Sequence, residues 1–446
     1  VRVPRTAPFK KIFVGGGGAS FFGFWEAWKG LFDTSLHAGI NAFACWGFEE
    51  AAPDTQSAFI NKAKERGVRV FGAMSPFWHA GFSPAGNERG MGIDGNYCRS
   101  RSNLWAPTFA LDENATVMKK MCEHLKKGAA AGLMGTLLDD EWSNQIFDLV
   151  DYTPETKELF RKYLQAKGQE YVDPVTIVQN KKTMKALHKQ WVAFRCERMA
   201  EFYRIWKAAY VSGLTDKSDS MFMTGIQGKN PDPELIQESN FFDYRLLAKH
   251  CDFIGIMCYM YRYIPDSAVV GDTLAMYNRY VGRPATFPAL LCDYEGHEVP
   301  PEQKASLKYQ LWEALMQQSR VVEYWMSYGM YNPLNLREIA EGIRQLVPFE
   351  DILLEGLPCE AFASSEKWLR LQGLKRGKKL LLYAANYQHP ATEQAVVTIR
   401  LPVKSVIALA NSETVSSEGN RFCFDSARDR GQLFLIELSG TGETAL

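Results

Sequence analysis

Short apolar runs alternate with helical patterns along the chain from Lys11 to Leu346. Such alternation is typical of βα units, which together build a parallel sheet with helices packed on it. The apolar runs predict eight strands, at residues 11–14, 40–46, 68–74, 135–138, 220–224, 252–259, 286–292 and 321–326. A (β/α)8 TIM barrel requires eight parallel strands, so we expect an α/β fold built on such a barrel.

The pattern changes after the last barrel helix. The runs EKWLRLQGLKRGKKLLLYAANY and EQAVVTIRLP, and those beyond them, are short alternating strands separated by turn residues. They predict a small C-terminal antiparallel β-sandwich that starts near Pro358. We therefore expect a barrel domain over residues 1–356 and a β-sandwich domain over residues 357–446. Within the barrel, the glycine run at residues 15–18 is expected to turn the chain tightly after the first strand.

The fourth predicted strand, within GTLLDDEW, brings three consecutive acids to the point where it ends. Asp139, Asp140 and Glu141 would then lie at the C-terminal face of the barrel, where the active sites of such barrels are found. The alternative is structural, because aspartate is a preferred N-cap of a following helix. Capping explains Asp139 best and Glu141 least well.

A second acidic cluster follows the seventh predicted strand, with Asp293, Glu295 and Glu298 in the segment CDYEGHE. Strands four and seven lie roughly across the mouth of an eight-stranded barrel, so acids at their ends can face each other. Glycoside hydrolysis uses a pair of carboxyl groups that flank the scissile bond. A separation of about 5 to 5.5 Å gives retention of the anomeric configuration, and about 6.5 to 9.5 Å gives inversion.

Aromatic residues make up 13% of the chain, and several of them follow predicted strands. Stacking on the flat faces of sugar rings is one use for such side chains, although a Phe-rich core is the more frequent one. We expect substrate-binding side chains near the ends of strands two, three, six, seven and eight, namely Trp46, Trp78, His79, Tyr259, Tyr261, His297 and Trp325.

The strand order, the acids after the fourth strand, the long helical segment that follows and the small terminal β domain resemble clan A glycoside hydrolases, most nearly the family 42 β-galactosidases. The clan's fourth strand ends in Asn-Glu, and Asp140-Glu141 matches it with Asp in place of Asn. The resemblance implies that Glu141 is the acid/base and that Asp140 hydrogen-bonds the 2-position substituent of the sugar. It also implies a glutamate nucleophile after the seventh strand, with Glu295 as first candidate and Asp293 as second.

By this resemblance the chain is a retaining hydrolase that cleaves a β-linked, β-galactoside-like oligo- or polysaccharide by double displacement. The resemblance implies no cofactor. It is compatible with a homo-oligomer, and a trimer would fit family 42. A second interpretation is possible, because the adjacent Asp-Glu also resembles hexosaminidases in which the acetamido group of the substrate is the nucleophile. By that resemblance Asp140 would orient the acetamido group and Glu141 would be the acid. A third is a barrel that binds carbohydrate without cleaving it, or that serves in assembly.

Composition limits the classes of binding partner and of site that we expect for this chain. Lys+Arg and Asp+Glu both number 51, so the formal net charge is zero. The sequence therefore shows no excess of positive charge that would favour binding to nucleic acid or to an anionic membrane. The nine cysteines are scattered singly, which is typical of buried thiols, and the seven histidines are too dispersed to predict a metal site. No apolar run is long enough to span a membrane. The chain begins at Val1 with the extended VRVPRTAPFK, which favours an exported protein that has lost a leader over a cytoplasmic one.

Overall fold

The structure is a computed structural model of the chain. It describes residues 1–20, 30–74, 88–97, 108–140, 151–215, 221–226, 233–258, 267–282, 286–291, 306–325, 327–387, 393–426 and 430–439.

Eight parallel strands form the first part of the molecule. They are β1 (Phe13–Ser20), β2 (Ala42–Trp46), β3 (Arg69–Met74), β4 (Gly135–Asp140), β5 (Met221–Ile226), β6 (Phe253–Cys258), β7 (Thr286–Leu291) and β8 (Val321–Trp325). Each strand is hydrogen-bonded to the next, and β1 pairs with both β2 and β8, so the sheet closes into a barrel. The predicted parallel sheet of a TIM-barrel fold is therefore confirmed.

Helices connect and surround these strands. They are α1 (Leu31–His37), α2 (Pro53–Glu65), α3 (Thr116–Ala130), α4 (Pro154–Ala166), α5 (Pro174–Gln179), α6 (Lys185–Gly213), α7 (Pro233–Asn240), α8 (Tyr244–Leu247), α9 (Ala268–Val281), α10 (Leu307–Met316), α11 (Ser327–Met330), α12 (Pro333–Leu346) and α13 (Glu350–Glu355). Local chemistry sets several helix starts. Thr153 accepts a hydrogen bond from the amide of Thr156 at the start of α4, and Asn332 accepts one from Leu334 at the start of α12.

The glycine run contradicts its sequence prediction, because Gly15–Gly18 continue β1 as strand and do not turn the chain. Glycine is needed at two of these positions because the barrel interior leaves no room there for a side chain. A Cβ on Gly15 would lie 2.2 Å from the carbonyl oxygen of Ala42, and one on Gly17 would lie 1.7 Å from Oε1 of Glu323. The register between β1 and β2 also shifts between Gly16 and Ala19, which is the mark of a bulge or irregularity.

The C-terminal part forms two antiparallel sheets. Its strands are β9 (Leu357–Pro358), β10 (Phe362–Ser364), β11 (Arg370–Arg376), β12 (Lys379–Asn386), β13 (Glu393–Ile399), β14 (Val403–Ala408), β15 (Glu413–Thr414), β16 (Ser417–Glu418), β17 (Arg421–Ser426) and β18 (Arg430–Leu438). The strand orders are β10-β13-β17-β16 and β15-β14-β18-β12-β11-β9. These sheets fit the predicted sandwich, whereas the division at residues 356 and 357 stays a prediction.

Strand β12 explains how the two parts pack together. Leu380 and Leu382 point into the core between the two sheets, whereas Leu381 and Tyr383 belong to the core that also contains the barrel helices. Because side chains alternate along a strand, one run of apolar residues serves both cores. The ring of Tyr383 meets that of Trp312 on α10 edge-on, with centroids 5.7 Å apart.

A buried ion pair joins the same two parts. Glu313 on α10 is fully buried, and Arg370 on β11 donates to it through Nε and Nη2, both at 2.9 Å. Tyr387 donates to the same carboxylate at 3.0 Å, and Gln372 also donates to it. Several donors on one buried carboxylate are what a stable buried charge needs.

Candidate active site

The carboxyl ends of the eight strands define one end of the barrel, and the fourth strand brings its acids there. Asp139 pairs with Gly225 of β5, and Asp140 pairs with Ile226, so β4 remains in the sheet up to Asp140. Glu141 is the next residue along the chain. The backbone therefore delivers the chain to the barrel's C-terminal end where the sequence predicted, while the side chains of Asp139 and Asp140 are not described.

Most of the other predicted site residues lie outside the described residues. They are Trp78, His79, Glu141, Tyr259, Tyr261, Asp293, Glu295 and His297. The last described residue of β7 is Leu291, which precedes the acidic segment directly. The separation of the two acids therefore stays a prediction.

The structure does place two of the predicted aromatic residues. Trp46 ends β2, where it pairs with Ser20 of β1 and Ala73 of β3, and it packs against the apolar cluster inside the barrel. Its Nε1 is buried and has no hydrogen-bond partner among the described residues. Trp325 ends β8 opposite Leu291 of β7 and is half-buried. Both indoles thus lie at the C-terminal ends of their strands.

A carboxyl group that the sequence reading missed lies just below this end. Glu323 is on β8, two residues before Trp325, so the two share one face of the strand. Glu323 is 8% exposed, and its Oε1 has no hydrogen-bond partner among the described residues. Burial raises the pKa of this carboxyl to about 7. A group with such a pKa can accept or donate a proton near neutral pH.

Among the described residues, the surroundings of Glu323 are otherwise apolar. A cavity of about 30 Å³ inside the barrel is lined by its side chain together with those of Phe13, Phe71, Leu137 and Val321. Such a volume is enough for a water molecule, which needs roughly 10–15 Å³. The sequence signal that marks Glu323 is an acid in the middle of the apolar strand VVEYW.

A second buried carboxylate organises the connections above the barrel. Asp151 is fully buried and accepts hydrogen bonds from the amides of Met91 (2.9 Å), Phe109 (3.2 Å) and Thr153 (3.1 Å). Burial raises the pKa of Asp151, and the hydrogen bonds from Thr156, Met91 and Thr153 oppose the rise. Asp151 therefore ties the connection between β3 and α3 to the segment that follows β4. Sequence reasoning missed it because an Asp before Thr-Pro reads as ordinary helix-start chemistry.

The part of the chain that the structure describes shows neither a candidate metal site nor a candidate membrane-spanning helix. Within those residues no group of three or more His, Cys, Asp or Glu side chains could hold a metal ion. Over the same residues, no helix combines the length and apolarity that crossing a bilayer requires.

Comparison with known proteins adds the fold context. No family model matches the chain, and no curated protein does either. Solved structures do match. A cold-adapted β-galactosidase from Rahnella sp. R3 superposes with a TM-score of 0.65 at 10% identity, over 97% of this chain and 100% of that one.

Two further solved structures are similar over most of their own length. The glycoside hydrolase domain of PgaB (BpsB) from Bordetella bronchiseptica has a TM-score of 0.54 at 13% identity, covering 75% of this chain and 99% of that one. α-Galactosidase I from Mortierella vinacea has a TM-score of 0.55 at 10% identity, covering 97% and 98%. At these identities the likeness shows the fold alone, a barrel of the kind found in these three proteins.

Proposed function

We propose that the chain is a retaining glycoside hydrolase that cleaves a β-linked, β-galactoside-like oligo- or polysaccharide. The observation that carries the proposal is where two strands end. Strand β4 ends at Asp140, directly before Glu141, and β7 ends at Leu291, two residues before Asp293 and four before Glu295. Acids from both segments then belong to the C-terminal end of one barrel, the end at which such barrels carry their chemistry.

The proposed chemistry is a double displacement. Glu141 protonates the leaving oxygen while Glu295 attacks the anomeric carbon, and Glu141 then takes a proton from the water that releases the sugar. Asp140 hydrogen-bonds the 2-position substituent, and Asp293 is the alternative nucleophile. Asp140 also places a negative charge beside the acid, which favours the protonated form that a proton donor needs.

Aromatic and polar side chains complete the proposed cleft. Trp46 and Trp325 end two strands at the same face of the barrel and offer flat apolar surfaces to sugar rings. The remaining proposed contacts come from the connections around them: Trp78, His79, Tyr259, Tyr261 and His297. All three solved structures described above are named as glycosidases or glycoside hydrolase domains, which supports carbohydrate as the substrate class.

The test is turnover of a panel of aryl glycosides that includes β-galactosides, β-glucosides and 2-acetamido sugars. Glu141→Gln should lower kcat by about 10² to 10⁴-fold, the usual contribution of a positioned acid or base. Glu295→Gln should lower kcat at least as much, because it removes the proposed nucleophile. Glu298→Gln, in the same acidic segment, is the matched control and should stay near wild type. NMR of the first product should show the anomeric configuration retained. Full activity of Glu141→Gln would sink the proposal.

The Asp140-Glu141 pair also supports one alternative, a hexosaminidase that uses the acetamido group of its substrate as nucleophile. This alternative predicts turnover of 2-acetamido sugars alone, loss of activity in Asp140→Asn and near-normal activity in Glu295→Gln. A barrel that binds saccharides without turning any of them over would point instead to a binding module.

A further inference from the structure

A large groove lies between the barrel and the C-terminal sheets, and the proposed active site does not use it. Its volume is about 820 Å³, within the range of about 300–1,000 Å³ typical of ligand sites, which also favour domain interfaces. One wall comes from the ends of α9 and α10, and the other from β9, β10, β11 and Arg400. Polar and apolar side chains share the lining, with Phe362, Leu371 and Pro358 as the apolar surface.

The groove is at the opposite end of the barrel from the strand ends that carry the acids. Its barrel wall includes Asn278 and Gly282 at the end of α9, and Gln317 and Gln318 just after α10. These segments immediately precede β7 and β8, so they lie where those strands begin. The beginning of the strands is the face that supplies stability in such barrels, and catalysis takes place at the other face. A ligand in the groove would therefore be bound without being cleaved.

The floor of the groove is already ordered by three hydrogen bonds, the first of which crosses between the two parts. Gln317 Nε2 donates to Oε1 of Gln372 on β11 at 2.8 Å. Asn278 Nδ2 donates to the carbonyl oxygen of Gln317 at 3.1 Å. Gln318 Nε2 donates to the carbonyl oxygen of Gly356 at 2.8 Å. A ligand meeting this floor would not have to order it, which lowers the entropic cost of binding.

Two guanidinium groups flank this floor. Arg400 is held in place by donating through Nη2 to the carbonyl oxygens of Glu360 (2.6 Å) and Phe362 (3.4 Å). Arg279 is exposed on the last turn of α9. Neither forms an ion pair with another described residue, unlike Arg370 nearby, which pairs with both Asp272 and Glu313. Against these two cations the described lining holds one acidic side chain, that of Glu360.

We propose that this groove is a second carbohydrate-binding site, and that it takes a short stretch of an oligosaccharide bearing carboxylate groups. Carboxylates on the ligand would pair with Arg279 and Arg400, whose planar groups suit bidentate contact. The amide side chains of the floor would meet hydroxyl groups, and Phe362 would face a sugar ring. The site would hold an acidic polysaccharide on the protein at a distance from the catalytic end.

The test measures binding of three probes to the full chain by calorimetry: hexagalacturonate, a neutral galactose oligomer of the same length, and hexaglutamate. Hexagalacturonate should bind most tightly, and its affinity should fall as salt is raised. The double variant Arg279→Gln/Arg400→Gln should weaken it by about tenfold or more, since hydrogen bonds to charged partners are the strong ones. Arg320→Gln, an exposed arginine outside the lining, is the matched control and should bind as wild type does.

A second variant tests occupancy without changing charge. Ala275 lines the groove from α9 and is half-buried, so Ala275→Phe should fill part of the space and weaken hexagalacturonate binding while circular dichroism stays unchanged. The proposal is overturned if hexagalacturonate does not bind, if the double variant binds it as well as wild type, or if Arg320→Gln weakens it equally. Preference for hexaglutamate or for the neutral oligomer would overturn it as well. Aryl glycoside turnover should be unaffected by these variants, so a failed binding test and a failed glycosidase proposal can be told apart.

Discussion

Replacing Glu323 by Gln removes a titrating group from the barrel interior while keeping the size of the side chain. Burial raises the pKa of this carboxyl from an ordinary 4.5 to about 7. The folded protein therefore holds this proton more tightly than the unfolded chain does. Below pH 4.5 both states are protonated and the group costs nothing through ionisation. As the pH rises from 4.5 to 7, the unfolded chain loses the proton first, and the folded state loses stability relative to it.

The size of the effect follows from the two pKa values. The interval between 4.5 and 7, at 1.36 kcal/mol per pH unit, corresponds to a loss of about 3 kcal/mol in the free energy of unfolding. The Glu323→Gln variant has no such loss. Its amide also lacks an evident partner, but that cost does not change with pH and drops out of the comparison.

The assay is denaturant unfolding of wild type and Glu323→Gln at several pH values between 4 and 8. The stability of the variant relative to wild type should rise by about 3 kcal/mol across this interval. Glu65→Gln removes a carboxyl from the exposed end of α2 and sets the size of the change that any lost charge produces. A difference between Glu323→Gln and wild type that stays constant with pH, or that falls as the pH rises, would refute the reasoning.

Three further variants test other contacts. Arg370→Ala leaves the buried carboxylate of Glu313 without its ion-pair partner and should cost about 3–5 kcal/mol. Arg376, on the same strand, forms exposed ion pairs with Asp351 and Glu355 of α13, so Arg376→Ala should cost about 1 kcal/mol or less. Equal losses in urea titrations would contradict this. Gly17→Ala should lower the free energy of unfolding by about 1–3 kcal/mol, because the new Cβ would meet Oε1 of Glu323. This loss should largely vanish when Glu323 is also replaced by Ala. Additive losses in the double variant would disprove the contact. Asp151→Asn should speed amide hydrogen exchange at residues 88–97 by about tenfold or more, while exchange in α12 stays unchanged. Unchanged exchange at residues 88–97 would show that the hydrogen bonds to Asp151 are not needed to hold this segment.

The strands were predictable from the sequence because their signals are local. The apolar runs at residues 68–74 and 286–292 match β3 and β7 to within one residue at either end. Each run is short and rich in apolar residues, and each is preceded by a helix, α2 or α9, as a strand in a βα series should be. The strand that carries the acids was predictable for the same reason, although β4 runs two residues past the predicted end at Leu138 and includes Asp139 and Asp140.

The interior of the barrel was not predictable in this way. Barrel strands are buried on both faces, so the alternation that would show which residues point inward is missing from the sequence. Glu323 therefore looked like one polar position in an apolar strand. The glycine run was misread as a turn because glycine is common in turns, and what requires it here is a contact made across the barrel.

Gly17 and Glu323 are best understood as one feature divided between two distant parts of the chain. Oε1 of Glu323 occupies the space in which any larger residue at position 17 would place its Cβ. Neither residue alone has an evident structural reason, because an extended glycine weakens a strand and a buried carboxyl oxygen with no partner among the described residues destabilises a core. Together they place an ionisable group two residues below Trp325, at the end of the barrel where the proposed chemistry occurs. Strongly perturbed carboxyl pKa values cluster at functional sites, so the raised pKa of Glu323 agrees with the proposal that this end of the barrel carries the chemistry.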